Sequence, residues 1–470
     1  METRALVLLL SLLLRLRLAA GLSPFYDVPE PVVEALKPRG LRISIPDDLG
    51  VELMAVHANM NKPIAPLEAG QISVDILKPK GGRWVYEDRR VRLRPGDVIN
   101  YWLYVQVDGL GYRLDDQSFV VKDLVDPRSG NSQICVPSDT MVNGMPTCKG
   151  QLIFEENFST LNQSIWQHSV QLAGSPDYQF VVYTESPENS VVRDDKLIIT
   201  PTLLSSNNSD YIYYGKLSVP RCTGLPNSAE CSKAAAAWSI LPPVQSAKLH
   251  TKHSFSFVYG VIEIRAKMPV GDWLFPEIWL EPKENYYGHR NYQSGQIRIA
   301  MARGNEDLTK DGAQLGNNLL EAGCRLGLTS KIRNEMYTKS NWAPFGSDFH
   351  VYKVIWDKEQ LVFVVDGMEI GRVQPPIGGF GGLQEFSSTT VPWKSTLAPF
   401  DREFYITLGV GVGGHLEFPD GCFSHKHPKP WTNRETKSML HFYKDLNNWY
   451  PTWDFQKSAL AVDYVKVWAM

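Results

Sequence analysis

The stretch Ser294-Gly295-Gln296-Ile297-Arg298-Ile299-Ala300-Met301-Ala302-Arg303-Gly304-Asn305 decides how the larger part of this chain is read. Residues two apart on a β-strand face the same side, and one bulge returns a residue three further on to that side. Gln296, Arg298 and Met301 are therefore expected to line one face of a cleft.

Three positions so placed are where a retaining glycosidase mounts its carboxylates. It needs a nucleophile and a general acid/base roughly 5 Å apart, with a third acid between them to tune protonation. The frame Ser-Gly-x-Ile-x-Ile-x-x-x-Arg-Gly-Asn resembles the active-site strand of glycoside hydrolase family 16, the β-1,3-glucanase and laminarinase group, whose pattern reads Glu-x-Asp-x-x-Glu. Here those places hold Gln296, Arg298 and Met301. An amide forms no glycosyl ester, a thioether donates no proton, and a guanidinium puts a cation where the family has an anion. Two-carboxylate catalysis cannot run without two carboxylates, so no catalytic residue is assigned.

The neighbouring sequence fits the same family. Phe154-Glu-Glu-Asn-Phe158 with Trp166 resembles its first strand, and Leu460-Ala-Val-Asp-Tyr-Val-Lys-Val-Trp468 its last. Tyr259 to Pro269, Gly271 to Trp279, Phe349 to Trp356, Gly409 to Gly414 and Phe418-Pro-Asp420 continue the likeness. Residues 151–470 are thus expected to form one large concanavalin-like jelly-roll sandwich, glucanase-like and catalytically inactive. Such a cleft can grip a polysaccharide if aromatic platforms survive, and Trp273, Trp279 and Trp431 are the candidates. Trp279 is read equally well as core, and Trp356 better as core. Arg298 is expected to be held by Glu277, Glu281 or Glu284, replacing the lost acid cluster. No G-x-S-x-G elbow, H-E-x-x-H pair or P-loop pattern offers a substitute chemistry. No cofactor or metal is assigned.

Residues 22–125 read as a small all-β domain. Leu41, Ile43 and Ile45 alternate with polar residues, as do Ile72, Val74 and Ile76, and Ile99 through Val107, with turn signals at Pro95-Gly96 and Asp108-Gly109. Short strands at this spacing predict an immunoglobulin-like sandwich. Gly40 to Asp48, Gly82 to Arg90 and Asp108 to Arg113, in that order, resemble the amino-terminal glucan-binding module, carbohydrate-binding module family 39, of invertebrate β-1,3-glucan recognition proteins. The resemblance implies that Asp47, Asp48, Arg83, Trp84 and Asp88 lie at or near a sugar-contacting face. An aromatic ring stacks on a pyranose C–H face while carboxylates and guanidiniums bracket its hydroxyls. Trp84 is read as exposed because Arg83, Glu87, Asp88 and Arg89 flank it. For Asp47-Asp48 after Pro46, a plain turn stands beside the binding role.

Residues 1–21 have the layout of a secretory signal peptide, with Arg4, an apolar run from Ala5 to Leu14, and Ala19-Ala20-Gly21. An uncleaved anchor is the alternative, raised by Arg15 and Arg17. No later run reaches the length of a membrane span. Export agrees with three glycosylation patterns, at Asn157, Asn162 and Asn207, and with six cysteines in no metal-knuckle spacing. Close spacing pairs Cys222 with Cys231 and Cys135 with Cys148, leaving Cys324 with Cys422, although sequence alone does not fix connectivity. Residues 126–150 carry turn chemistry and are read as a linker. The net charge of −3, without a long basic run, leaves nucleic-acid binding no footprint.

These readings converge on a secreted, non-hydrolytic sensor of β-1,3-glucan. The family resemblance further implies innate immune signalling through a serine-protease cascade, and binding of lipopolysaccharide or lipoteichoic acid. The alternative is an active endo-β-1,3-glucanase using displaced carboxylates such as Glu277 or Glu281.

Overall fold

The computed structural model describes residues 26–48, 50–80, 82–125, 136–204, 208–327, 332–383 and 393–470. The signal segment, Asn207 and Cys135 lie outside them. Strands make up 46% of the structure and helix only 6%, so the class is all-β. No helix among the described residues is long and apolar enough to cross a membrane. The chain divides into two compact units between residues 134 and 135.

The first unit is the expected immunoglobulin-like sandwich. One sheet orders Val32–Ala35, Leu41–Pro46 and Arg83–Asp88; the other orders Ile72–Ile76, Val51–Met60, Val98–Val107 and Leu110–Val120. Leu41, Ile43 and Ile45 meet Ile99, Tyr101, Leu103 and Val105 in one buried core. Val74 stays exposed on its edge strand. Asp108 and Gly109 take φ of 48° and 77°, the left-handed pair that a two-residue hairpin turn demands.

In the second unit two sheets share one apolar core. The ten-stranded sheet runs Ile332–Ser340, Leu319–Gly327, Gln296–Met301, Leu274–Pro282, Phe404–Val412, Ser256–Val258, Pro137–Val142 and Met145–Cys148, with two short strands attached at Phe404–Val412. The eight-stranded sheet includes Gly260–Lys267 and His350–Trp356. There Leu152–Glu156 pairs with Leu460–Trp468, the two stretches that resemble the family's first and last strands. Alternation sorts the larger sheet into faces: Ile278, Leu280, Ile297, Ile299, Leu408 and Leu326 enter the core, while their neighbours in the chain point the other way.

Two expectations are corrected. From residue 136 onward the supposed linker is a hairpin, Pro137–Val142 against Met145–Cys148, paired with Ser256–Val258. Asn143-Gly144, read as turn and linker chemistry, is its turn, with φ of 48° and 77°. Cys324 and Cys422 are both buried and unbonded. Cys324 sits opposite Ile297 inside the sheet and packs in the core, while Cys422 sits in a loop whose carbonyl takes the Lys429 amide, so no bridge joins them. Cys222–Cys231 is formed, and Cys148 is disulfide-bonded. Asn157 and Asn162 are exposed.

Candidate functional site

The strand Gln296–Met301 lies between Leu274–Pro282 and Leu319–Gly327. Gln296 stands opposite Arg325 and Arg298 opposite Gly323, after which the register shifts and Met301 stands opposite Glu321. Three residues thus span two on the partner, which is the expected bulge. Positions 325, 323 and 321 share a face, so Gln296, Arg298 and Met301 share it too. On the other side Glu281 is opposite Tyr405, Trp279 opposite Thr407 and Glu277 opposite Gly409, extending this face across the sheet.

All three positions are buried: Gln296 is 3%, Arg298 1% and Met301 0% exposed. Arg298 lies over the Trp279 ring at 4.3 Å and donates to both oxygens of Glu417, at 2.8 and 2.9 Å. Arg325 donates to the same carboxylate from the other side, at 2.7 and 3.2 Å. Burial acts to raise the Glu417 carboxyl, but the two guanidiniums outweigh it and hold it well below the usual carboxylate range. Glu417, immediately before the quoted Phe418-Pro-Asp420, was not singled out from sequence. Its partner on the strand was a cation, and only the fold shows which of many acids reaches it.

The expected partners of Arg298 are engaged elsewhere. Glu277 accepts from Lys248 at 2.9 Å, Gln179 at 2.8 Å and Tyr183 at 3.1 Å. Burial pushes its carboxyl up, against the pull of Lys248. Glu281 accepts from the hydroxyls of Thr407 at 2.7 Å and Tyr405 at 3.3 Å. Glu284 is exposed. The end of the diagnostic stretch is architectural. Arg303 bonds Glu321 at 2.6 Å, Asn305 accepts from the Trp273 amide at 3.1 Å, and a Cβ on Gly304 would meet the Gly271 carbonyl at 2.5 Å.

Trp273, Trp279 and Trp431 are 2%, 3% and 2% exposed, which corrects their reading as sugar platforms. Trp431 donates to the Gly414 carbonyl at 2.9 Å and meets Trp273 edge-on at 5.0 Å. Phe418 meets both Trp273, at 5.2 Å, and Trp431, at 6.0 Å, edge-on. The ring that is open is Tyr178, 49% exposed and 5.2 Å from His415, next to Asp177, whose carboxylate takes the Tyr292 hydroxyl at 2.6 Å. Only the Pro-Asp turn signal before it marks Tyr178 in sequence. A polar cavity of about 170 Å³ lies beside Gln296, bordered by Glu281, Tyr292 and Tyr405, and Gln296 Oε1 is buried without a hydrogen-bond partner.

In the first unit, Trp84 is 2% exposed and its indole N–H donates to Asp47 at 2.9 Å. This corrects the expectation of an exposed ring. Alternation puts Trp84 and Tyr86 into the core, and it is the residues between them that face outward. Asp47 is 5% exposed, and Arg83, at 8%, is spent on the Ser44 side chain and carbonyl. Asp48 is half-buried, and Asp88 is bound by Arg90 at 2.8 Å. The outward row is instead Glu34–Arg42–Glu87–Arg89, linked by ion pairs of 3.1, 2.8 and 2.5 Å.

The central cation on the second unit's face is neutralised. Among the described residues no group of three or more His, Cys, Asp or Glu is placed to hold a metal ion.

Residues 27–140 match the family model CBM39, described as "Carbohydrate binding domain (family 32)", and residues 309–379 match "Glycosyl hydrolases family 16". The chain is 40% identical to a beta-1,3-glucan-binding protein of Tenebrio molitor, covering 95% of this chain and 96% of that one. It is 36% identical to Gram-negative bacteria-binding protein 1 of Drosophila melanogaster, covering 96% and 97%. Among solved structures, the laminarinase from Rhodothermus marinus is similar at 21% identity and a TM-score of 0.44, over 68% of this chain and 96% of that one. Full-length relatedness at this level places the chain in the family of insect β-1,3-glucan-binding and Gram-negative bacteria-binding proteins.

Proposed function

We propose that this protein is a secreted pattern-recognition protein that binds microbial β-1,3-glucan without hydrolysing it. The observation that carries the second half is the Arg298–Glu417–Arg325 cluster, in which an acid beside the degenerate strand is buried between two guanidiniums. The names of the relatives support the first half. In this reading the first unit contacts glucan through its outward charged row, Arg42 and Glu87 among it, while Trp84 and Asp47 hold the sheet from inside. Repeating polymers make such single contacts effective through avidity. Clustering on the polymer then recruits a serine protease of an immune cascade, and lipopolysaccharide or lipoteichoic acid is a further ligand class of the reading.

The test is titration of laminarin into the full chain, with an assay for released reducing ends on the same samples. Saturable binding without new reducing ends is expected, weakened by Arg42→Ala. Steady release of reducing ends, lost on Glu277→Ala, would instead make the protein a glucanase with displaced carboxylates.

A further inference from the structure

The eight-stranded sheet turns a second face away from the core. On it Val191, Ile198, Ala461 and Lys267 stand in one transverse row, each opposite the next on the strands Ser190–Arg193, Lys196–Ile199, Leu460–Trp468 and Gly260–Lys267. Their chain neighbours Leu197, Leu460, Val462 and Ala266 enter the core, so the row faces outward. A cavity of about 470 Å³ opens over it, lined also by Arg193, Lys196 and Phe455, whose ring is 63% exposed.

Cations gather here beyond what the fold uses. Arg193 stands directly opposite Lys196, and like charges so placed destabilise a sheet. The ammonium groups of Lys196 and Lys267 each lie 6.0 Å from the centre of the Phe349 ring, and the Arg265 guanidinium lies 4.8 Å from it. Three cations thus share one half-buried ring, and Asp463 answers them by pairing with Arg265 alone. Lys196 donates to the Asp194 carbonyl at 2.8 Å, and the Lys267 ammonium has no hydrogen bond or ion pair among the described residues. The acids on the lining, Glu188 and Asp194, pair through their carboxylates with none of these cations. Both lysines are half-exposed, so a ligand in the cavity meets them without disturbing the sheet.

The unanswered charge selects an anion, and the floor selects its shape. Val191, Ile198 and the Phe455 ring offer an apolar surface to the C–H face of a pyranose, and Gln456 adds an amide for its hydroxyls. A lipid surface suits the cavity less well, because Phe455 is the one large apolar side chain of the lining that stands out from the protein, while Val191 and Ile198 lie on the sheet.

We propose that this outer cavity binds an acidic saccharide, a uronate-type pyranose whose carboxylate sits between Lys196 and Lys267 while its ring lies against Phe455. The site goes beyond the glucan reading and does not depend on it.

Hydrogen–deuterium exchange on the full chain with tetragalacturonate tests it, beside the fully methyl-esterified tetramer and laminaritetraose. Slower exchange is expected across 193–196 and 454–459 with the free acid alone. The affinity is expected to fall about tenfold or more in Lys196→Gln/Lys267→Gln, and to weaken as salt screens the exposed charges. Equal protection of these segments by the methyl ester or by laminaritetraose overturns the role of charge, and unchanged affinity in the lysine variant overturns the placement of the carboxylate. Phe455→Ala should also weaken binding, and unchanged affinity there overturns the stacking. No protection of these segments by tetragalacturonate overturns the site; protection by phosphatidylglycerol vesicles in its place would make this face a membrane contact. If the lysine variant fails to fold, the methyl ester and Phe455→Ala, an exposed position, decide.

Discussion

Replacing Glu417 by Gln should cost the second unit more stability than any other single change near the degenerate strand. The carboxylate receives four charge-assisted hydrogen bonds, of 2.8, 2.9, 2.7 and 3.2 Å, and its side chain is 3% exposed. Glu417→Gln keeps the shape but leaves Arg298, at 1%, and Arg325, at 8%, buried against a neutral amide. Removing one member of a buried ion pair costs about 3–5 kcal/mol, because a charge remains without its counter-ion. For a unit this large that is roughly 6–10 °C in the unfolding midpoint. Arg298→Met should cost less, since Glu417 then keeps both bonds to Arg325. Urea unfolding followed by near-ultraviolet circular dichroism, with the two variants side by side, measures the difference. A Glu417→Gln loss under about 1 kcal/mol, or one equal to that of Arg298→Met, would refute the argument. The cluster's pH dependence has a definite sign. A carboxyl whose folded pKa is depressed stabilises fully above its ordinary value of 4.5 and loses that contribution only as pH falls toward its much lower folded value.

Trp84→Ala should destabilise the first unit by about 3–5 kcal/mol, as expected for a large aromatic removed from a core. Glucan binding lost in that variant therefore counts against the outward charged row only if the variant is still folded by circular dichroism. Gln296→Glu, Arg298→Asp and Met301→Glu are expected to be needed together for any laminarin hydrolysis, and reducing ends released by one of the single variants would show that the strand's role is misjudged. His250 is held by burial at about 4, below its ordinary 6.5. Its contribution is fully present above pH 6.5 and declines as pH falls toward 4, by at most about 3 kcal/mol. Melting temperatures of His250→Gln should accordingly fall less steeply than those of the unmutated chain between pH 7 and 5, and parallel curves would contradict this.

Much of the fold was legible because β-structure writes itself locally. The alternation of Leu41, Ile43 and Ile45 and of Ile99 through Val107 needed no knowledge of partners, and the Asp108-Gly109 turn followed from backbone sterics alone. The bulge after Arg298 was likewise readable from the spacing of three positions. Asn143-Gly144 failed for an instructive reason: the same dipeptide serves a linker or a hairpin, and the choice rests on whether Ser256–Val258 lies alongside. Trp84 failed because four charged neighbours in the chain say little about a side chain on a strand, where adjacent residues face opposite ways.

What the sequence by itself determined was therefore periodic or chemical: two β-sandwich units, and the replacement of carboxylates by an amide, a guanidinium and a thioether at Gln296, Arg298 and Met301. What only the tertiary structure decided was pairing at a distance. Arg298 is 119 residues from Glu417, and Arg402 is 116 from Tyr286, and no local pattern encodes such contacts. They exist because separate strands and loops converge on one face of a sheet. Burial there makes an unpaired charge costly enough that each guanidinium must find its acceptor.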